Sequence, residues 1–285
     1  MKNELVSTEN VRRCQAAAAE LEGRFEDREL IGLGLIHGRP GLGKTMWLRY
    51  HKAQMVRKEN GIQVGFVRAL AIWSEASMLK DLLGALGTLP IKYRKAEMYD
   101  QLLDILEQSP TEILIDEIHQ IAGSAGMMGI IKDLHDMTGC VVIMEGELRT
   151  DGLLRRHESF HDRLNAGAII TLREHTPDDM TAIVKGRCEL EVEPEVCRAI
   201  CGGRGRTVRQ LLRQIREIES YGRASGIKRF TMKDFRHMGR LRANAESKVR
   251  YITSGRADLP SQAEELTMNE SQGLSDAPGD RKSVV

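Results

Sequence analysis

The stretch that decides the fold is Gly38-Arg39-Pro40-Gly41-Leu42-Gly43-Lys44-Thr45. Its fixed positions fit G-x-x-x-x-G-K-[ST], the pattern of a phosphate-binding P-loop. Glycines let backbone N–H groups face phosphate oxygens, and the helix that follows directs its positive end at the same oxygens. An apolar run over 30–36 precedes the stretch, and a helical pattern over 44–58 follows it. This strand–loop–helix order predicts a site for the phosphates of a nucleotide.

Two side chains of the loop have specific expected roles. We expect Lys44 to reach the β- and γ-phosphates and the Thr45 hydroxyl to ligate Mg²⁺. The whole nucleotide-binding stretch is then Gly38, Arg39, Pro40, Gly41, Leu42, Gly43, Lys44, Thr45 and the adjoining Met46. The chain has no Asn-Lys-x-Asp sequence, the loop that usually reads guanine. ATP is therefore the expected nucleotide.

A second motif is Ile113-Leu114-Ile115-Asp116-Glu117, an apolar strand that ends in two acids. This is the Walker B arrangement, in which Asp116 would hold Mg²⁺ directly or through water. Glu117 would polarise the attacking water as a general base. The alternative is a buried strand capped by two solvated acids, and the P-loop upstream favours the first interpretation. His119 is expected to be a surface or structural histidine.

Alternating strands and helices predict an α/β fold, a P-loop domain with a five-stranded, mainly parallel sheet. Thr8 is expected to cap a helix over 8–26, and a glycine-rich loop is expected at 122–129. After Pro177 only helical stretches are expected, with no strand between them. The expected domains are an N-terminal helical leader (1–29), the α/β domain (30–175), a basic helical lid domain (176–252) and a disordered tail (253–285).

Composition places the protein among ordinary soluble chains. Of its 285 residues 41% are hydrophobic and 29% charged, which excludes wholesale disorder. No run approaches the roughly 20 apolar residues of a membrane helix, and no secretory signal is expected at the N-terminus. The five cysteines are odd in number and lack metal-ligand spacing. A reduced, cytoplasmic compartment is therefore expected, without a membrane partner.

Charge is unevenly distributed along the chain. The net charge is only +1, yet residues 201–252 contain 14 basic and four acidic residues, whereas 253–285 has a net charge of −3. A strongly basic segment attracts phosphate backbones largely independently of sequence. The alternatives are a solvated basic face or a subunit interface. With only 4% aromatic residues, base stacking on aromatic side chains is not expected.

The two motifs, a further strand, an arginine-bearing segment and a following helical domain resemble the AAA+ ATPases over about residues 8–250. That resemblance implies a polar sensor residue, usually Asn, Thr or Ser, after strand 141–144, where this chain departs from the pattern with Glu145. It implies an arginine finger that completes a neighbouring subunit's site. Arg163 matches this place, with Arg155 and Arg156 as alternatives. It also implies a second sensor arginine, best matched by Arg206, with Arg204 and Arg209 as rivals.

Within that family, the small size and the Ile115–His119 stretch look most like transposition ATPases, namely the B protein of Mu-like phages and TnsC, TniB and IstB. Asn10 and Val11 lie where such proteins begin their adenine pocket. The resemblance implies ATP with Mg²⁺, duplex DNA, a transposase and a homo-oligomeric ring or filament as partners, in a host cytoplasm if phage-encoded. The DNA contacts it implies are Lys92, Arg94, Lys95 and residues near Ser124.

The expected function is therefore a DNA-bound ATPase that regulates target selection by a transposase. The main alternative is a helicase loader or replication initiator on the same fold. A third hypothesis is a nucleotide-gated switch with little turnover.

Overall fold

The computed structural model describes residues 1–2, 5–23, 32–58, 61–202 and 207–253. The chain divides into two compact units, Met1–Met232 and Lys233–Val285. The described part of the second unit continues one long helix, which begins at Met232. None of the described helices is long and apolar enough to span a bilayer.

A five-stranded sheet forms the centre of the first unit. Every strand pair in it is parallel, and the spatial order is β2-β3-β4-β1-β5. Its strands are β1 (Leu33–Gly38), β2 (Gln63–Arg68), β3 (Thr111–Asp116), β4 (Val141–Glu147) and β5 (Ala168–Thr171). The three central strands β1, β3 and β4 are buried along almost their whole length, as expected of a parallel sheet covered on both faces. The predicted α/β fold with a five-stranded parallel sheet is confirmed.

Helices cover both faces of this sheet and continue beyond it. They are α1 (Glu9–Glu22), α2 (Lys44–Lys58), α3 (Glu75–Ala85), α4 (Lys95–Gln108), α5 (Ala125–Thr138), α6 (Thr150–Leu154), α7 (Glu158–Ala166), α8 (Pro177–Arg187), α9 (Pro194–Cys201), α10 (Val208–Ser225) and α11 (Met232–Thr253). Thr8 caps α1, with its hydroxyl accepting from the N–H of Val11. The predicted cap is therefore confirmed.

The order of the strands determines where a site can form. β3 and β1 are not neighbours, because β4 lies between them. Parallel strands carry their carboxyl ends to one edge of the sheet, so the P-loop after β1, the acids after β3 and the end of β4 meet there. This edge is the usual binding crevice of an open α/β sheet.

Two sequence-based expectations are wrong. The loop expected over 122–129 ends at Ser124, which caps α5 by accepting from the N–H of Met127. Gly126 and Gly129 therefore lie inside a helix, which is stabilised by the burial of Met127 and Met128 despite the low helix propensity of glycine.

Strands also occur after Pro177, where none was expected. β6 (Glu191–Val192) pairs in parallel with β7 (Arg229–Phe230), in a ladder only two residues long. Phe230 is fully buried, so packing rather than strand propensity stabilises this pair. The predicted domain boundaries, including the lid over 176–252, stay predictions. The expected disordered tail lies outside the described residues except for Thr253. Arg206 also lies outside them.

Candidate nucleotide site

The P-loop forms the turn between β1 and α2. Gly41 and Gly43 have φ angles of +81° and +94°, in the left-handed region that only glycine enters without strain. The loop glycines of the motif thus match the backbone that the structure needs. Lys44 is buried at the start of α2, and its ammonium donates to the carbonyls of Gly38 (3.1 Å) and Arg39 (3.2 Å).

Asp116 ends β3 directly beneath this loop. Its Oδ1 accepts a hydrogen bond of 2.9 Å from the Thr45 hydroxyl. Its Oδ2 is buried and has no hydrogen-bond partner among the described residues. A buried carboxylate oxygen without a partner is costly, and Mg²⁺ is bound in such sites by one or two carboxylates together with nucleotide phosphates. Thr45 and Asp116 therefore fit a magnesium ion.

Glu117 has an uncommon backbone conformation. It is the one non-glycine residue with positive φ in the described part of the chain, at φ 59° and ψ 37°. Such a conformation costs on the order of 1–3 kcal/mol and persists where the surroundings hold it. The Glu117 carboxylate lies 3.3 Å from Arg68 and 3.3 Å from His119. The His119 side chain is only 5% exposed, so of the two expectations it is a structural rather than a surface histidine.

Glu145 lies near the end of β4, in the centre of the same site. Its carboxylate is 3.3 Å from the Lys44 ammonium, and it accepts a hydrogen bond of 3.0 Å from the backbone N–H of Glu117. Burial raises the pKa of Glu145 to about 7, and the neighbouring Asp116 acts in the same direction, against Glu117 N–H and Lys44. The sequence marks Glu145 only as a departure from a pattern; the structure places it between the P-loop lysine and Glu117.

These groups line one cleft of about 250 Å³ beside the P-loop. Its lining includes Lys44, Thr45, Glu117, Glu145 and Glu147. The cleft thus brings together a cation, a hydroxyl and several carboxylates at the edge of the sheet. Chemically this set is able to bind a polyphosphate with its metal ion and to accept a proton from water.

The N-terminal residues contribute to an adjacent apolar pocket. Val11 and Met46 line it, together with Leu42 and residues of α8 and α10. Asn10 is placed differently from Val11, because its side chain donates to the carbonyl of Arg173 (2.8 Å) and accepts from the Arg173 N–H (3.1 Å). Asn10 therefore ties α1 to the segment after β5, whereas Val11 faces the pocket beside the P-loop.

The start of α10 touches the P-loop directly. The N–H of Val208 donates to the carbonyl of Gly41 at 3.0 Å. A Cβ atom on Gly41 would lie only 2.8 Å from Cβ of Thr207, the N-cap of α10. Arg209 and Leu212 line the phosphate cleft from this helix. Arg209 is one of the three arginines considered for the second sensor; the other two, Arg204 and Arg206, lie outside the described residues.

The three candidate finger arginines do not line the cleft of their own chain. Arg163 lies 3.1 Å from Asp136 on α5, and Arg155 lies 2.8 Å from Asp151 one turn earlier. Arg156 is exposed, and its side chain makes no hydrogen bond or ion pair with any described residue.

The residues expected to contact DNA lie around α3, α4 and the start of α5. Lys92 pairs with Glu97 at 3.1 Å and Lys95 pairs with Glu75 at 2.6 Å, while Arg94 is exposed. Lys95 shares a groove with Gly126 of α5, two residues after Ser124. Lys95 and the exposed first turn of α5 therefore border one open groove.

Comparison with known proteins agrees with the fold. Residues 28–154 match the family described as an AAA domain. No curated protein matches the chain in sequence.

Solved structures show the same fold over most of the chain. The ORC2 protein of Aeropyrum pernix, solved as ADPNP–ADP complexes, matches at 17% identity with a TM-score of 0.66, over 84% of this chain and 70% of that one. The Aeropyrum pernix ORC1 protein in complex with DNA matches at 18% identity and a TM-score of 0.63, over 95% and 74%. Domain III of the Thermotoga maritima replication initiation protein DnaA matches at 17% identity and a TM-score of 0.60, over 82% and 92%. The chain therefore shares the fold of these three structures.

Proposed function

We propose that this chain is an ATPase that binds DNA when ATP and Mg²⁺ occupy the cleft. The observation that carries the proposal is that Lys44, Thr45 and Glu117 line one cleft and that Asp116 accepts a hydrogen bond from Thr45 beside it. Lys44 would hold the β- and γ-phosphates, and Thr45 with Asp116 would hold the metal ion. Mg²⁺, when bound, supplies neutralisation of charge on the phosphates.

Glu117 would accept a proton from the water that attacks the γ-phosphate. Its left-handed backbone sets the carboxylate beside the cleft, and Arg68 and His119 limit its movement. The intact Glu117 disfavours a nucleotide-gated switch with negligible turnover. Val11 and Met46 would shape the pocket for adenine, together with Asn10 through its two hydrogen bonds to Arg173. Arg209 would approach the phosphates from α10, and Arg206, the best match to the second sensor in the sequence, stays a prediction.

DNA binding is supported by charge and by the fold. Arginines 209, 213, 216 and 223 of α10 are exposed, in the segment whose sequence carries the excess of positive charge. The solved ORC1 relative is a complex with DNA. Exposed cations on a phosphate backbone give affinity that falls steeply with salt and depends little on base sequence. Duplex DNA is the expected partner.

The first testable consequence concerns DNA. ATP turnover should rise when duplex DNA is added, and the affinity for a labelled duplex with ATP bound should fall by about 10³-fold or more between 50 and 200 mM salt if six or more phosphates are contacted. Fluorescence anisotropy and steady-state phosphate release measure the two effects. Salt-independent binding, or none, would contradict the proposed role.

A pair of matched variants locates the contact. Replacing Lys92, Arg94 and Lys95 by alanine should weaken DNA binding and reduce the salt slope. Replacing Arg213, Arg216 and Arg223 removes the same number of charges from α10. If only the α10 variant loses affinity, the groove beside Ser124 is not the DNA site.

A second consequence concerns assembly. Because no candidate finger lines its own cleft, the site would be completed by an arginine from a neighbouring copy, in a ring or filament. Arg163→Ala should bind ATP normally but hydrolyse it about 10³–10⁵-fold more slowly. Mixing it with Lys44→Ala should restore part of the activity, because the second variant offers an intact arginine to an intact P-loop. The measurement is turnover per subunit against protein concentration.

Arg155 and Arg156 serve as the comparison. If Arg156 is the finger, the loss of turnover and its rescue should instead be seen with Arg156→Ala. Its side chain bonds to none of the residues that the structure describes. Turnover that is independent of concentration, with no rescue for any of the three, would rule out a shared site.

Two biological roles fit this biochemistry. The sequence resemblance supports regulation of a transposase during target selection. The likeness to ORC and DnaA proteins supports a helicase loader or replication initiator equally well. A pull-down with ATP and DNA present, using a transposase and a replicative helicase as separate baits, distinguishes the two.

A further inference from the structure

We propose that Glu145 is an internal competitor for the nucleotide phosphates: it pairs with Lys44 until a nucleotide with its metal ion takes over that lysine, while it continues to hold the backbone of Glu117. This inference rests on the proposed function and deepens it, since it concerns the regulation of the same cleft. Three observations on different parts of the cleft carry it.

The first observation is the contact with Lys44. The P-loop lysine is buried, with a side chain only 6% exposed, and the Glu145 carboxylate, 4% exposed, lies 3.3 Å away. The Lys44 ammonium also donates to the carbonyls of Gly38 and Arg39. A buried ammonium needs a counter-charge. In this chain the Glu145 carboxylate is that counter-charge. It contacts the ammonium group that is expected to bind the nucleotide phosphates.

The second observation is the number of carboxylates. Glu117, Glu145 and Glu147 line the cleft and Asp116 is bonded to Thr45 of its lining, whereas the cations in the lining are Lys44 and Arg209. A nucleotide polyphosphate adds further negative charge at short range, and Glu145 repels it. A neutral Asn, Thr or Ser at this position would repel it far less. A divalent cation offsets this repulsion. Nucleotide binding in this chain should therefore depend on Mg²⁺ more strongly than in a site with a neutral residue there.

The third observation links the same carboxylate to the general base. One oxygen of Glu145 accepts the N–H of Glu117, the residue with left-handed backbone. This hydrogen bond helps to hold a conformation that an L-residue seldom adopts. Glu145 is thus a positioning residue for Glu117 and a competitor at Lys44. The two roles need different chemistry, because the first needs an acceptor and the second needs a negative charge.

That difference makes the roles separable by two substitutions. Glu145→Gln keeps an acceptor for the Glu117 N–H but removes the charge next to Lys44. Glu145→Ala removes both. In the absence of divalent metal, we expect both variants to bind ATP about tenfold more tightly than the natural chain does. With Mg²⁺ present, the gain in affinity should be smaller. Turnover should be kept in Glu145→Gln and fall in Glu145→Ala, because the second variant no longer holds the Glu117 backbone.

The experiment is calorimetric or fluorescence titration of ATP into the full chain at pH 8, with EDTA or with Mg²⁺, followed by single-turnover hydrolysis. Glu147→Gln is the matched control, since it removes a carboxylate from the same cleft that does not touch Lys44, and its effect in EDTA should be smaller. Glu145→Asp keeps the charge but withdraws it from Lys44 by one methylene, and it serves as the test if the other variants fold poorly. The affinity of this variant for ATP in EDTA should also rise.

The outcomes separate the two proposals. If the natural chain binds no ATP even with Mg²⁺, the proposed function is wrong. If it binds and hydrolyses ATP but the Glu145 variants bind no tighter in EDTA than Glu147→Gln does, the competitor role is overturned. If Glu145→Ala turns over ATP as fast as Glu145→Gln, the positioning role is overturned.

Discussion

Glu117→Gln should bind ATP with nearly unchanged affinity and hydrolyse it about 10²–10⁴-fold more slowly, the usual contribution of a general base. Glutamine keeps the shape of the side chain, its hydrogen bond from Arg68 and its contact with His119, but has little affinity for a proton. The loss should appear in single-turnover hydrolysis, which isolates the chemical step from product release. DNA-bound assemblies should then persist, because release would follow hydrolysis.

Glu147→Gln is the control for this prediction. It removes a carboxylate from the same cleft, at a residue about 39% exposed, and turnover should fall far less than in Glu117→Gln. If Glu117→Gln turns over ATP at the natural rate, another group accepts the proton and Glu117 has no part in the mechanism.

Lys44→Ala should abolish measurable ATP binding. Removing one partner of a buried charge pair costs about 2–5 kcal/mol, which corresponds to a loss of roughly 30-fold to several thousandfold in affinity. Two effects act together here. The phosphates lose the ammonium, and Glu145 is left as an uncompensated negative charge beside them. Titration with labelled ATP in Mg²⁺ measures the loss.

Lys58→Ala is the matched control, since it removes a lysine from the other end of the same helix. That side chain is half exposed and pairs with Glu22 at 3.0 Å, away from the P-loop. Nucleotide affinity should not change in this variant. Equal affinities for the Lys44 and Lys58 variants would refute the phosphate site.

The local parts of the site could be predicted because they depend on adjacent residues. The P-loop needs glycine where φ is positive, as at Gly41 and Gly43, and the apolar strand before Asp116 places that acid at the sheet edge. Each requirement is written in a few consecutive residues. The same reasoning gives the parallel sheet, whose strands alternate with helices.

Glu145 could not be assigned in this way, since its position depends on which strands are neighbours. β4 lies between β1 and β3, and Ile36 is in register with Glu145. This register brings the glutamate to Lys44 and Glu117, which lie far from it in the sequence. The start of α5 was missed for a related reason. Glycines favour a loop locally, whereas burial of Met127 and Met128 comes from the tertiary structure.

The hydrogen bond from Val208 to Gly41 makes the P-loop part of the capping of α10. The first N–H groups of a helix have no partner within it, so this one is satisfied by the backbone of the phosphate loop. A rotation of the Gly41 peptide plane on phosphate binding would break the hydrogen bond from the Val208 amide. Hydrogen exchange at Val208 therefore reports on the loop from outside the cleft. By thermodynamic reciprocity, if phosphate binding shifts the position of α10, then a partner that shifts α10 must change the affinity for phosphates by the same coupling free energy.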